Sequence, residues 1–453
     1  MSALEKALIH SKNIGIDECE IVHTNKKVTT IRITDSKVVE IKKNIDKSYG
    51  IRLIHKKRIT SVQTTDENKI EQMIDDGFDA SQKIKPSVFW KGLSNTTNQK
   101  KIQQIYDKRL DELDDSDAVE IAQNMINSSK DSKINTITGS VNIVSEDFKI
   151  ANSNGLNLED KGTYISGIIN AESEHGTIPV SGIGHSCCRT LGNFSTDEIG
   201  EDAKFMCLKS INPKKIESGE YSIIFEPYSV GELSSFVISS NFNFKIFSEE
   251  KSCFSGKLGE QIATTKLNIM DHPHIPEGIG SKNSDDEGIK TKEKYFVKDG
   301  IFKSTFSNLF DAYKEGKDSS TGNAVRVGSP MGRSSEPITI AAPHNLKINS
   351  GDVSKEELIK DTKHGLLVGR LWYTYAVNPI RGDFSCTARS GIRIIKDGEI
   401  YAPGKSVRII DNLPDMLKRI SHIGDDQKRV IQWASSASIV PSVKVENIKV
   451  NSI

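Results

Sequence analysis

The chain has no excess of either charge: 61 Lys and Arg balance 61 Asp and Glu, a formal net charge of zero. Phosphate binding needs clustered, uncompensated Lys and Arg, so this balance argues against nucleic acid as the main partner. Cysteine is scarce. Six occur in 453 residues (Cys19, Cys187, Cys188, Cys207, Cys253, Cys386), with no C-x-x-C. Adjacent Cys187 and Cys188 do not readily bridge each other, and the usage points to a reducing cytoplasm. Long apolar runs are missing too. The longest are of strand length, far below the ~20 residues that span a bilayer, so no membrane helix is expected. Residues 1–6 lack the apolar core of a signal peptide and read as the start of an amphipathic helix.

Catalytic motifs are equally sparse. No H-E-x-x-H, G-x-S-x-G, G-x-x-x-x-G-K-[ST] or full G-x-G-x-x-G occurs. In Gly328-Ser329-Pro330-Met331-Gly332 a proline occupies the turn that a nucleophile elbow needs. Asp271-His272-Pro273-His274 holds the one close His pair, but Pro273 extends the chain and a structural loop is the better reading. His185 with Cys187 and Cys188 is a weak zinc signal, because small buried cysteines are common. Asp285-Asp286-Glu287-Gly288 lacks the alternation of an EF-hand loop and reads as a solvated turn.

What is present is a mixture of helix and strand, with 36% hydrophobic and 27% charged residues, enough to bury sizeable cores. After the first helix, strand patterns fall at 29–34, 38–41, 49–54 and 59–62. The basic run His55-Lys56-Lys57-Arg58 reads as a hairpin tip. Helices are expected over about 67–83 and from about Ser116, the latter burying Val119, Ala122 and Ile126. More strands run from about 134 to 182, and a connecting helix covers 195–210, opened by Ser195 and Glu198 at capping-box spacing. Asn212-Pro213 breaks the pattern.

The second half is richer in strands. Asp299-Gly300 and Asp397-Gly398 mark two hairpins. One helix is expected from Ser354, with Glu357 completing a capping box and Gly365 as its stop, and another over about 412–422. The fold class is α+β: an N-terminal α+β domain (1–212) with a mostly antiparallel sheet, then a mostly β domain (213–453), barrel- or sandwich-like, with a few surface helices.

Seven segments in order resemble the TldD/PmbA family, also called modulators of DNA gyrase: Tyr49-Gly50-Ile51-Arg52, Ile150 to Leu156, Ser284 to Thr291, Ser320 to Ala324, His364 to Val368, Gly382-Asp383-Phe384-Ser385 and Ile423 to Asp426. The resemblance covers nearly the whole chain. It implies a metallopeptidase fold in which TldD-like chains carry zinc on an H-E-x-x-x-H helix plus a downstream Cys. PmbA/TldE-like chains lack those ligands and join a TldD-like chain in a heterodimer that encloses the protease site.

By that resemblance the metal helix starts near Pro227. Its two His positions fall on Ser234 and Ser239, its Glu on Ser235, and the downstream Cys near Ser435 and Ser436. A serine hydroxyl is a poor Zn²⁺ ligand and no base at neutral pH. Glu232, the one carboxylate in the segment, reads as a surface residue.

The resemblance therefore implies a non-catalytic PmbA/TldE-like subunit, with no metal or cofactor of its own and zinc in its partner. That partner is an H-E-x-x-x-H-bearing chain acting on unfolded or short peptides; a homodimer is an alternative assembly. Thr321-Gly322-Asn323 and Gly382-Asp383-Phe384-Ser385 are candidates for lining the cavity or interface, against the plainer reading of turn chemistry. Rival readings are a stand-alone peptide-binding protein, a peptidase with Asp271, His272 and His274 as substitute ligands, and a gyrase regulator.

Overall fold

The computed structural model describes residues 2–95, 102–432 and 437–453. Helix Ala3–Asn13 opens the chain, its Ser2 and Glu5 forming a reciprocal capping box. Strands β1 (Glu18–Thr34), β2 (Lys37–His55) and β3 (Arg58–Thr64) then fold as a meander. Both of its turns are two residues long, Asp35-Ser36 and Lys56-Lys57, and all four residues have positive φ. That is the backbone twist a tight hairpin demands, so the basic run is a hairpin tip, as expected. Helices Ile70–Ser81 and Asp115–Ser129 follow, the second capped by Asp114. Strands β4 (Thr136–Asn152), β5 (Asn157–Ser173) and β6 (Val180–Cys188) complete an antiparallel sheet in the order β3-β2-β1-β4-β5-β6. Helix Thr196–Leu208 leads out of it. Only half of its capping box forms: Ser195 accepts from the Glu198 N–H.

The sheet is covered on both faces. Odd-numbered residues of its central strands, such as Ile21, Ile51 and Ile143, pack under the helices. Even-numbered ones, including Glu20, Arg52 and Glu146, face the second half of the chain, and all three are buried. Backbones approach closely there: a Cβ on Gly50 would lie 1.7 Å from the Ser335 carbonyl oxygen, so only glycine fits.

The second half holds three further sheets. Its strands are β7 (Gly219–Phe225), β8 (Ile269–Asp271), β9 (Lys294–Lys298), β10 (Ile301–Phe302), β11 (Ala324–Val325), β12 (Ile340–Ala341), β13 (Leu346–Ile348), β14 (His364–Asn378), β15 (Asp383–Lys396), β16 (Glu399–Pro403), β17 (Val407–Asn412), β18 (Ile420–Ile423), β19 (Lys428–Val430), β20 (Ser438–Val440) and β21 (Val443–Ser452). Pairings β14–β7, β7–β21, β21–β17, β17–β15 and β15–β14 close a ring, so the expected β-rich half contains a barrel. A second sheet runs β10-β9-β8-β13-β20-β19, and β11 pairs with β12. Both Asp-Gly hairpins form, between β9 and β10 and between β15 and β16.

Three expectations are corrected. Helix Lys355–Lys360 keeps its capping box but ends before Gly365, which lies inside β14, where a Cβ would meet the Ser222 carbonyl at 2.4 Å. The helix at Leu413–Lys418 is short, and Ile420 begins a strand. Asp285-Asp286-Glu287 is no solvated turn: the three are 2%, 1% and 0% exposed.

Their role is to join the halves. Arg52 on β2 donates from Nη1 to Glu287 Oε1 at 2.9 Å, and its Nη2 lies 2.9 Å from Glu20 Oε1. Arg326 Nη2 donates to the same Glu20 oxygen at 2.5 Å. Glu287 also accepts from Thr339 Oγ1 and the Leu309 N–H, both at 2.8 Å. Asp285 accepts three backbone N–H groups, from Glu287, Ile289 and Ala324. Burial and the Glu287 charge nonetheless push its carboxyl upward. Arg333 adds a link to Glu146 at 2.9 Å and Asp160 at 2.8 Å.

Removing one member of a buried ion pair typically costs about 3–5 kcal/mol, because the remaining charge is left uncompensated. Arg52→Met leaves Glu287 without its arginine partner and Glu20 with Arg326 alone, so it should lower the urea unfolding midpoint by an amount equivalent to about 3–5 kcal/mol. Adding Glu287→Gln should cost less than the sum of the single changes. A midpoint unchanged in Arg52→Met would contradict the role given to this cluster.

Candidate functional site

The segment aligned by resemblance with a zinc helix is a helix. Pro227 opens it at the first turn, where a missing N–H costs nothing, and the regular α-turns run Pro227–Leu233. A wider π-turn then covers Ser234–Ile238, closed by the Ser239 N–H bonding to the Ser234 carbonyl, and a tight 3₁₀ turn runs Ser239–Phe242. Five residues make about 1.4 turns of ordinary α-helix, which would put positions 234 and 239 on different sides. The π-turn draws them toward one face, and such turns concentrate at functional sites.

The side chains on this frame do not fit zinc. Ser234 is buried and its hydroxyl finds no hydrogen-bond partner among the described residues. Ser239 is buried and Ser235 half-buried. Ser435 and Ser436 lie outside the described residues. Among the described residues no three His, Cys, Asp or Glu side chains gather as a metal site. The alternative ligands are engaged elsewhere: Asp271 accepts from Asn323, His344 and Asn345, His272 faces Glu293, and His274 bonds Thr291.

Glu232 is not a surface residue. It is 5% exposed and its Oε1 accepts from Thr374 Oγ1 on β14 at 2.8 Å. Burial pushes its carboxyl up to about 7, against the opposing pull of Thr374 and the Arg370 charge. Around it stand Tyr228, one helical turn earlier, and His185 from β6, whose ring lies 5.3 Å from that of Tyr228. Burial, with some help from Lys428, lowers His185 to about 4, so it is neutral at pH 7. Burial also lowers the Arg370 guanidinium. The arrangement is a buried polar cluster in which the Arg370 guanidinium and the raised Glu232 carboxyl lie near the neutral His185 ring and the Tyr228 and Thr374 hydroxyls, groups able to accept or donate hydrogen bonds.

Two candidate segments are engaged in hydrogen bonds and packing within the fold. Asn323 donates to Asp271 at 2.7 Å and accepts from Lys294 Nζ at 2.7 Å; Thr321 Oγ1 donates to it at 2.9 Å, and the Gly322 carbonyl accepts from His344. Gly382, with φ +86°, makes the turn into β15, and its carbonyl accepts from the Leu413 N–H at 2.8 Å. Asp383 accepts from Asn412 at 3.0 Å, Ser385 donates to the Ile409 carbonyl, and Phe384 is fully buried in the main core. Sequence reasoning read Glu232 as a surface residue and His185 as a weak zinc signal, and it missed Tyr228, Arg370 and Thr374. The available signal was the setting of Glu232, a single acid among Ser229, Val230, Gly231, Leu233 and Ser234, too small and apolar a company for a solvated helix face.

The chain is thus a barrel-bearing α+β protein whose Pro227 helix carries a π-turn. Family profiles agree across three segments: PmbA/TldA metallopeptidase domain 1 matches residues 19–81, the central domain 108–210 and the C-terminal domain 218–452. The chain belongs to the PmbA/TldA (TldD/PmbA) family. It is 28% identical over 283 residues to a metalloprotease of Methanothermobacter thermautotrophicus, covering 61% of this chain and 59% of that one. It is 27% identical over 259 residues to the metalloprotease PmbA of Escherichia coli O157:H7, covering 57% and 53%. The matched stretch thus spans little more than half of these curated relatives. The crystal structure of TldE from Thermococcus kodakarensis superposes with a TM-score of 0.89 at 22% identity, over 99% of this chain and 100% of that one, which shows a shared fold.

A carboxyl raised by burial makes a pH prediction. Between the ordinary Glu range and about 7 the folded state keeps a proton on Glu232 that the unfolded state has lost. Stability from this group is therefore present at pH 5 and lost as pH rises through 7. Glu232→Gln is neutral throughout. Its unfolding free energy minus that of the wild type should increase by roughly 1–3 kcal/mol between pH 5 and pH 8. A difference independent of pH would contradict the assignment.

Proposed function

We propose that this chain is a non-catalytic, PmbA/TldE-like subunit of a cytoplasmic metalloprotease complex. Its partner would be an H-E-x-x-x-H-bearing chain of the same family, which brings the zinc, and the substrates would be unfolded or short peptides. The observation that supports this reading is the π-turned helix with serine at each described position that the resemblance assigns to zinc chemistry. Peptide hydrolysis through zinc needs a Lewis acid, an activated water and a base. Ser234, Ser235 and Ser239 supply none of them. What this chain's own residues can supply is a wall that orients an extended peptide and excludes water.

A surface suited to the partner adjoins the helix. Along β14, Thr374 points inward to Glu232 while Tyr373, Tyr375 and Val377 point outward, 70%, 48% and 57% exposed. Ile380 at the hairpin tip extends the strip, at 59%. Exposed apolar strips of this kind mark interaction surfaces. Tyr373 has a positive φ of 49° beside a register shift of the β14–β15 ladder, a bulge that re-aims side chains. A partner seated on this strand would be coupled to the Glu232 pocket through a single residue. The engaged states of Asp271, His272 and His274 speak against a peptidase with substitute ligands. No helix among the described residues is long and apolar enough to cross a membrane.

The test combines the purified chain with the H-E-x-x-x-H relative from the same cells and follows peptide cleavage. Activity should require both chains. Ser234→Ala with Ser239→Ala should change it less than twofold, whereas Tyr375→Asp with Val377→Asp should reduce it more than tenfold. Loss of activity in the serine pair with retention in the strip variant would overturn the reading.

A further inference from the structure

Between the N-terminal sheet and the second half lies a cavity of about 110 Å³, separate from the Glu232 pocket. Its wall includes Arg189 from the end of β6, Arg326 and His344, which are 2%, 1% and 3% exposed. Each carries a nitrogen with no hydrogen-bond partner among the described residues: Arg189 Nε, Arg326 Nε and His344 Nδ1. Buried polar groups are normally satisfied, and each that is not costs about 1–3 kcal/mol. All three nitrogens belong to side chains that line this one cavity.

The chemistry of the three is specific. Arg326 is paired with Glu20 through Nη2, and the nearby Lys282 and Asp286 pair with each other at 3.0 Å. Among the described residues the Arg189 side chain has no carboxylate partner, while its backbone N–H donates to Glu277 Oε2 at 2.9 Å. Its Nη1 donates only to the Ile279 and Ser281 carbonyls, at 3.3 and 3.2 Å, and its guanidinium lies over the Tyr164 ring at 4.2 Å. Such a desolvated guanidinium suits a carboxylate. His344 differs. Its Nε2 lies 2.8 Å from the Gly322 carbonyl, which can only accept, so Nε2 carries the proton. Burial keeps the ring neutral, lowering it to about 4, and Nδ1 is left as an acceptor seeking a donor. The cavity thus offers N–H donors, one acceptor, and apolar wall from Ile279, Met331, Ile431 and Ala437.

A group with carboxylate oxygens, one N–H and a small apolar body matches all of these. Engineered cavities of about 150 Å³ take a benzene molecule, so the volume suits one small residue. We propose that this cavity binds the C-terminal residue of a short peptide, with its carboxylate on Arg189 and Arg326 and its amide N–H donated to His344. The inference rests on the peptide-handling function proposed above, and it gives this chain a substrate- or product-holding role of its own.

The experiment is titration calorimetry of the full chain, alone, with N-acetyl-Ala-Ala, with the same dipeptide as its C-terminal amide, and with acetate. The free acid should bind at least tenfold more tightly than the amide and more tightly than acetate. Arg189→Met should weaken it at least tenfold. Ala342→Leu, which fills the cavity from its wall without touching a charge, should do the same and serves if Arg189→Met does not fold. Acid and amide binding alike, no binding of the acid, or full binding in a folded variant would overturn the proposal and leave the cavity to ordered water. Acetate binding as tightly as the dipeptide would overturn the peptide assignment in favour of a free small carboxylate. Because the assay uses the chain without a partner, its failure leaves the subunit reading standing. Peptide binding without partner-dependent cleavage would conversely sink that reading alone.

Discussion

The buried ionic seam between the two halves is the constraint from which the rest of the structure follows. Glu20, Arg52 and Glu146 sit on the face of the first sheet opposite its helices, and they meet Glu287, Arg326 and Arg333 from the second half. Apolar residues would bury that face more cheaply, since desolvating charges is expensive. An ionic seam adds register, because each guanidinium satisfies its carboxylates in one arrangement only. That register places β6, with His185, against the helix bearing Tyr228 and Glu232. It also encloses the Arg189 cavity. Both pockets therefore depend on contacts that join the halves, and neither is complete within one of them.

The Pro227 helix separates frame from chemistry. Its π-turn brings positions 234 and 239 toward one face, and hydroxyls occupy both. Where a metal centre would place charge, this chain keeps a neutral His185 and a Glu232 poised near neutrality.

Much of the fold was legible in the sequence for local reasons. Two-residue turns, the Asp-Gly pairs and the Ser354 capping box are decided by neighbouring residues, and the structure shows each of them. What was not legible depended on distant partners. Asp285-Asp286-Glu287 has the composition of a solvated turn, and groups remote in sequence make it a core element: Arg52 and Thr339 on Glu287, Ala324 on Asp285 and Arg326 on Asp286. Gly365 reads as a helix stop until β7 is seen to press against it. Glu232 reads as a surface acid because its hydroxyl partner, Thr374, comes from a remote strand. The closing of the barrel by β14 and β15 likewise rests on pairings that no local pattern encodes. At the site, family resemblance located the helix and its serine positions, while the buried polar cluster around Glu232 emerged only from the fold.

The most direct test of the central claim is native mass spectrometry of the complex captured on this chain from its own cells. A heterodimer with an H-E-x-x-x-H-bearing chain, holding one zinc that leaves with the partner when the two dissociate, is the predicted result. Zinc retained by this chain after dissociation, or two zinc ions per heterodimer, would contradict the account.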